Sequence, residues 1–342
     1  MNLQQLLGVE LPVVQAPMAG VQESALAIAV CRAGGLGSLP CALLDAAAMR
    51  RELAALRAAT DRPFNVNFFC DRPPVVDEAR ESAWRRALLP YYRELEVDPD
   101  AVSSDPARAP FDAAAASLLE EVRPAVVSFH FGLPDEALLQ RVRGIGARIL
   151  ASATTLDEAL WLERRGVDAI IAQGLEAGGH RGQFLSDDLS RQSGSFALLP
   201  QLVRKLRTPV IAAGGIADAS GVAAAFALGA AMVQVGTAYL LCPEATTRPL
   251  HRQALASDAA RHTALTRLFS GGPARGIVNR LVREVDDALA PAFPLASAAL
   301  APLRAAAEAR GSGDFSPLWS GQNASGCKPC SATELTLALA SR

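Results

Sequence analysis

The residues of this chain best suited to chemistry gather in one stretch, QGLEAGGHRG at 173–182. His180 stands there with three glycines close by, and an imidazole titrates near neutral pH, so it can act as a neutral acceptor or as a cationic donor beside a substrate. A lone loop histidine does nothing special in most proteins. A Gly-rich loop that lets a ligand approach favours catalysis or substrate binding at this one. His130, which closes the run SFH, is a second candidate, for substrate binding. Glu176 and Arg181 flank His180 and could orient it, or simply pair with each other at the surface. His251 and His262 fall on expected helices and read as solvated.

Two further groups point to a bound anion. Gly214 and Gly215 follow the apolar run VIAA and lead to Asp218 at a helix start, while Gly236 and Thr237 follow MVQV. Backbone amides freed by glycine, a helix N-terminus and a hydroxyl make an anion cradle. Alone, each pair could merely permit a tight turn. Asn67 and Gln173 are amides at the ends of apolar runs, suited to a ring that presents both donors and acceptors, although solvated loop amides look the same in sequence. AlaProMet at 16–18 ends another such run and adds Met18 to the candidates.

What is missing narrows the chemistry. There is no GxxxxGK[ST] phosphate loop and no HExxH, and the only lysines, Lys205 and Lys328, end no apolar run, which argues against a Schiff base and leaves no metal site to name. Cys327 and Cys330 form a CxxC, but zinc would need a second pair or matching histidines, so they read as ordinary thiols, as do Cys31, Cys41, Cys70 and Cys242. An anion cradle without its own nucleophile or metal suggests a phosphorylated cofactor that carries the hard chemistry, and flavin mononucleotide (FMN) is the natural candidate.

The elements that must position these residues recur at a regular rhythm. Eight short apolar runs read as strands: Val13 to Ala16, Gly35 to Leu39, Phe64 to Phe68, Ala125 to Phe129, Arg148 to Ala151, Ala169 to Ala172, Val210 to Ala213 and Met232 to Val235. Ala-rich amphipathic segments alternate with them, several opened by capping residues such as Thr155 and Asp218. Eight βα units over roughly 240 residues predict a (β/α)8 TIM barrel, an α/β fold whose active sites lie at the C-terminal strand ends and whose phosphate site follows strands seven and eight. A doubly wound sheet is the rival, weakened because GIGARI at Gly144 lacks the third glycine of a dinucleotide fingerprint and precedes a strand.

Two stretches depart from the rhythm. Cys70 to Pro110 reads as an excursion with a charged helix around Glu78 to Leu89 and a Pro- and Asp-rich return. Cys242 to Ala309 reads as a helical lid subdomain over the barrel mouth. The expected organisation is therefore a barrel at 1–241, a helical lid at 242–310 and a return to the barrel at 311–342.

The formal charge of −2, from 33 basic and 35 acidic residues, offers no basic field for nucleic acid. A secretory signal and an apolar run of about 18 residues are both missing, so the chain reads as cytoplasmic and without a membrane span. A small neutral or anionic molecule is the expected partner.

Nine stretches together resemble the nitronate monooxygenases, formerly called 2-nitropropane dioxygenases. They are QAPMAG (15–20), GGLGSLP (34–40), FNVNFF (64–69), VVSFHFGLP (126–134), AQGLEAGGHRG (172–182), PVIAAGGIAD (209–218), VQVGTAYL (233–240), ARGIVNR (274–280) and WSGQ (319–322). The resemblance implies an FMN barrel with the phosphate held by Gly215 and by Gln234, Val235, Gly236 and Thr237, and with Asn67, Gln173 and Gly178 contacting the cofactor. It implies that His180 is the active-site histidine. The implied activity is oxidation of alkyl nitronates by dioxygen to a carbonyl compound and nitrite, with propionate 3-nitronate as the expected substrate. CKPC is no hallmark of that family, and the chain holds only Tyr91, Tyr92 and Tyr239, where relatives often line the pocket with lid tyrosines. The alternatives are an FMN-dependent enoyl-acyl-carrier-protein reductase or a nicotinamide-dependent quinone reductase on the same barrel, and, in another class, a flavin-binding protein without catalysis. Monomer and homodimer both remain open.

Overall fold

A computed structural model describes residues 2–99 and 110–341. The chain starts with helix α1 (Leu3–Leu7), whose Asn2 and Gln5 cap each other. Then βα units follow: β1 (Val13–Gln15), α2 (Ser24–Arg32), β2 (Gly37–Pro40), α3 (Ala46–Ala59), β3 (Phe64–Phe69), α4 (Glu78–Glu94), α5 (Ala113–Val122), β4 (Val126–His130), α6 (Glu136–Gly144), β5 (Arg148–Ala153), α7 (Leu156–Arg164) and β6 (Ala169–Gln173). A two-residue strand outside the barrel, β7 (Gly179–His180), precedes α8 (Ser195–Lys205), β8 (Val210–Ala213), α9 (Ala219–Ala227) and β9 (Met232–Val235).

All eight expected strands are present and pair in parallel, in the order β1-β9-β8-β6-β5-β4-β3-β2. The ring closes through a parallel bridge between Val14 and Leu36. It is a (β/α)8 barrel. Helix starts follow from short polar side chains: Asp45, Asp112, Asp135, Thr155 and Asp218 each accept a bond from the backbone N–H three residues on. Strand alternation then sorts the core into two layers. Val13 and Ile170 face the helices, while Val14, Ile171, Ile211 and Met232 fill the barrel, whose base is plugged by Leu3 and Leu7 of α1.

The excursions differ from expectation in two respects. Helix α4 runs through Pro90 to Glu94 instead of ending at Leu89. Its stripe of Trp84, Leu88, Tyr91 and Tyr92 is buried with Leu268, Phe269 and Leu300, and this burial outweighs the bond lost at proline. The segment after β9 does contain helices, α10 (Pro249–Leu255), α11 (Arg280–Glu284) and α12 (Ala296–Ala309), but also an antiparallel pair, β10 (Thr263–Thr266) and β11 (Ala274–Ile277). The cap over the barrel mouth is therefore a mixed structure built from both excursions, with α4 against α12. The Pro- and Asp-rich return at 100–109 lies outside the described residues.

Helix α13 (Ala332–Ala340) packs on α2 and α9. Its Thr336 hydroxyl lies 2.8 Å from that of buried Tyr239.

Candidate active site

The C-terminal ends of the barrel strands and the cap enclose a cleft of about 1260 Å3, counting its open mouth. One side of it is made of backbone. β8 passes into Gly214 and Gly215, which have φ of 108° and 76°. A Cβ at Gly214 would lie 3.0 Å from the Ala177 nitrogen and 3.2 Å from the Gly174 oxygen, so only glycine lets these turns meet without strain. β9 passes through Gly236 into a short 3-10 helix at Thr237–Leu241 whose N-terminus no side chain caps.

The C-terminal SGQN stretch at 320–323 lies along this side. Gly321 N–H donates to Thr237 Oγ1 at 2.9 Å, Gln322 N–H to the Glu176 carbonyl at 2.9 Å and Asn323 Nδ2 to the Gly215 carbonyl at 2.9 Å. Gln234 faces the cleft, and its buried Oε1 has no partner.

The floor carries amides. Asn67 Nδ2 donates to Ser128 Oγ at 2.9 Å, and Met18 is held through its N–H by Gln22 Oε1 at 2.9 Å. Gln173 bridges its own loop: Nε2 donates to the His180 carbonyl at 2.9 Å and Oε1 accepts from Gly182 N–H at 2.7 Å.

The opposite side is made of side chains. β7 pairs with β11 of the cap, setting His180 beside Ala274. His180 Nε2 lies 2.8 Å from the buried hydroxyl of Ser270. Around the ring stand Phe69, Phe131, Phe293 and Trp319, with ring centres 5.3 to 6.3 Å away.

His130 and His251 serve this wall from behind. A carbonyl only accepts, so His130 Nε2–H donates to the His180 carbonyl at 3.2 Å and Nδ1 takes the Ser152 hydroxyl proton at 3.0 Å. His251 Nε2–H likewise donates to the Trp319 carbonyl at 3.0 Å. Burial holds both pKa values down to about 4, so both rings are neutral at physiological pH.

Glu176 and Arg181 each have partners of their own in the loop and at the start of α8. The Glu176 carboxylate accepts from the N–H and hydroxyl of Ser195 at the start of α8, and the buried Arg181 guanidinium donates to the carbonyls of Gln173 and Gly174 and to Gln192.

The cleft thus brings together Met18, Asn67, His130, Gln173, Gly178, His180, Gly215, Gln234, Gly236 and Thr237. Val235 is the exception, because strand alternation turns its side chain into the outer core. His130 lines the cleft with both of its ring nitrogens engaged by protein, one of them on the His180 carbonyl. His251, expected to be solvated, is buried at the cleft. Ser270, Phe131, Phe293 and Trp319 were not singled out beforehand. WSGQ and FHFG carried a signal for Trp319 and Phe131, whereas nothing near Phe293 did.

The family model for nitronate monooxygenase matches residues 1–341. A nitronate monooxygenase of Paraburkholderia phytofirmans is 44% identical over 338 residues, covering 98% of this chain and 92% of the relative. One from Pseudomonas aeruginosa is 43% identical over 345 residues, covering 97% and 95%. Among solved structures, the nitroalkane oxidase of Streptomyces ansochromogenes superposes with a TM-score of 0.88 at 38% identity, covering 99% of this chain and 96% of that one.

Proposed function

The chain belongs to the nitronate monooxygenase family of oxidoreductases, and on that premise we propose that it is an FMN-dependent enzyme oxidising alkyl nitronates with dioxygen to a carbonyl compound and nitrite. The residues present fit such a cofactor. Gln234 Oε1 is a buried acceptor waiting for a donor, and apart from the neighbouring residues of its own chain no described heavy atom lies within 4 Å of where a Cβ on Gly179 would stand. The amides of Gly215, Gly236 and Thr237 would hold the phosphate, with Met18, Asn67 and Gln173 beside the ring system. Bound FMN would supply the redox chemistry, taking electrons from the nitronate and passing them to dioxygen.

The chain's own part is to place and stabilise an anion. A nitronate is already a carbanion equivalent, so it needs positioning and charge stabilisation more than a strong base. His180 would supply that as a hydrogen-bond donor to the nitronate oxygens, or take the α-proton of a neutral nitroalkane. Ser270 fixes the tilt of the ring, and the His130 and Gln173 bonds to its carbonyl fix its backbone. The aromatic side chains exclude water around it, which strengthens the charge interaction. The observation that carries this reading is the position of His180, on the cleft wall that faces the glycine cradle.

The test is oxygen uptake and nitrite release by the purified protein with an alkyl nitronate, beside anaerobic exposure of its flavin to NADH and NADPH. Rapid uptake with nitrite and no bleaching by nicotinamides is expected. Fast bleaching without nitronate turnover would replace this reading by a reductase, and protein purified without flavin absorbance that gains none with added FMN would remove both.

A further inference from the structure

We infer that Glu176 is a positioning residue for the cofactor's phosphate, holding the Gly214–Gly215 turn and the Thr237 end of the cradle in one arrangement. The inference rests on the reading of the cleft as a flavin site and deepens it.

The carboxylate has a place made for it. Helix α8 begins after Gly194, which has no side chain to cap it. Glu176 caps it from the loop after β6 instead: Oε1 and Oε2 accept from the Ser195 N–H at 2.8 and 2.9 Å, and Oε2 accepts from the Ser195 hydroxyl at 3.0 Å. A Cβ at Gly174 would overlap Glu176 Oε2 and Ser195 Oγ, and one at Gly194 would lie 2.7 Å from Glu176 Oε1. Two glycines therefore leave the room that this contact needs.

Two links lead from Glu176 to the cradle. The Ser195 hydroxyl also lies 2.9 Å from the Gly214 carbonyl, and a Cβ at Gly215 would stand 3.5 Å from that of Glu176, which sets the residue against the turn. On its other side the Glu176 carbonyl accepts from the Gln322 N–H at 2.9 Å, between the Gly321 N–H bond to Thr237 and the Asn323 bond to the Gly215 carbonyl. One residue thus joins α8, the turn after β8 and the C-terminal return. A carboxylate lining an anion site would ordinarily repel the anion. This one sits at the N-terminal end of α8, where the helix dipole favours negative charge, and the guanidinium groups of Arg181 and Arg275 are near enough to interact with it. Position, more than charge, is what it supplies to the phosphate.

The experiment measures Kd for FMN and for riboflavin, which lacks the phosphate, by fluorescence titration of the full chain freed of its flavin. The wild type should prefer FMN. Glu176→Ala should shrink that preference at least about tenfold, with riboflavin affinity changed by less than about threefold. Glu176→Gln removes the charge but keeps the link: its Oε1 can accept the Ser195 N–H, and its Nε2 can donate to Ser195 Oγ, whose proton turns to the Gly214 carbonyl. Its preference should stay within about threefold of the wild type. An unchanged preference in Glu176→Ala would overturn the inference, and so would an equal loss for both ligands, which would mean general support of the fold. A loss in Glu176→Gln as large as in Glu176→Ala would also overturn it, because charge would then be what the phosphate reads. Should Glu176→Ala not fold, Ser195→Ala cuts the hydroxyl link from the other end and should shrink the preference about 2- to 10-fold, the worth of one hydrogen bond. No change there would sink the assignment equally. Wild-type protein that bound neither ligand would remove the flavin reading and this inference with it.

Discussion

The two sides of the cleft are built by different means. The cradle after β8 and β9 is made of backbone: glycines, uncapped amides and turns that follow directly from two adjacent strands. The His180 wall is made of side chains drawn from far apart: Phe69 from the barrel and Trp319 from the return line the cleft, and Phe131 from the barrel and Ser270 and Phe293 from the cap stand beside His180. A backbone site tolerates change in any exposed side chain but none in its turns. A side-chain site can be altered piece by piece.

The largest effect should come from the cradle. Gly214→Val puts a branched side chain at φ 108° and pushes its Cβ against the Ala177 nitrogen and Gly174 oxygen. Left-handed strain alone costs about 1–3 kcal/mol. Flavin binding should weaken at least about 100-fold, the equivalent of about 2.7 kcal/mol, as read by fluorescence titration. Unchanged flavin affinity in the folded variant would show that the turn geometry is not what holds the cofactor.

Changes on the other wall should separate turnover from flavin binding. His180→Asn keeps a polar group of similar size but loses the imidazole, so kcat/KM for a nitronate should fall about 10²- to 10⁴-fold with flavin content intact. Unchanged turnover would sink the assigned role. A smaller effect is expected of Ser270→Ala, which removes the hydroxyl 2.8 Å from His180 Nε2. One neutral hydrogen bond is worth about 0.5–1.5 kcal/mol, so kcat/KM should drop about 2- to 10-fold. If Ser270→Ala matched His180→Asn, the serine would be reacting rather than positioning.

The same contrast explains what the sequence could reveal. VIAA and MVQV are strands in the structure at the residues expected, and the glycines that follow them carry their function in their type. Phe293 is one apolar residue among many in 290–300, and only the fold of the cap sets it 5.3 Å from His180. His251 was misread for a related reason: a helix has a buried and an exposed face, and α10 is too short for its pattern to tell which is which. The four-residue strand β11 was hidden likewise, since its pairing with β7 depends on a contact across about 90 residues, and β10 is held only by pairing with β11.

The smallest effect on turnover should come from pH acting on the two histidines behind the wall. His130 and His251 are held near a pKa of about 4, below the ordinary 6.5, by burial. Between those values the unfolded chain binds the protons that the folded chain refuses. Stability is therefore fully present above about pH 6.5 and declines as pH falls toward 4, by at most about 1.4 kcal/mol per pH unit for each ring. Urea unfolding at several pH values should show that slope, and His251→Gln should flatten it by up to half. An unflattened slope would mean that His251 is not held neutral in the fold. Neither ring changes charge between pH 6.5 and 8, so the pH dependence of kcat/KM in that range should keep the same shape in His251→Gln. A profile that shifts would connect His251 through the Trp319 carbonyl to the reacting wall, and the division between a wall that reacts and a layer that only holds it would have to be redrawn.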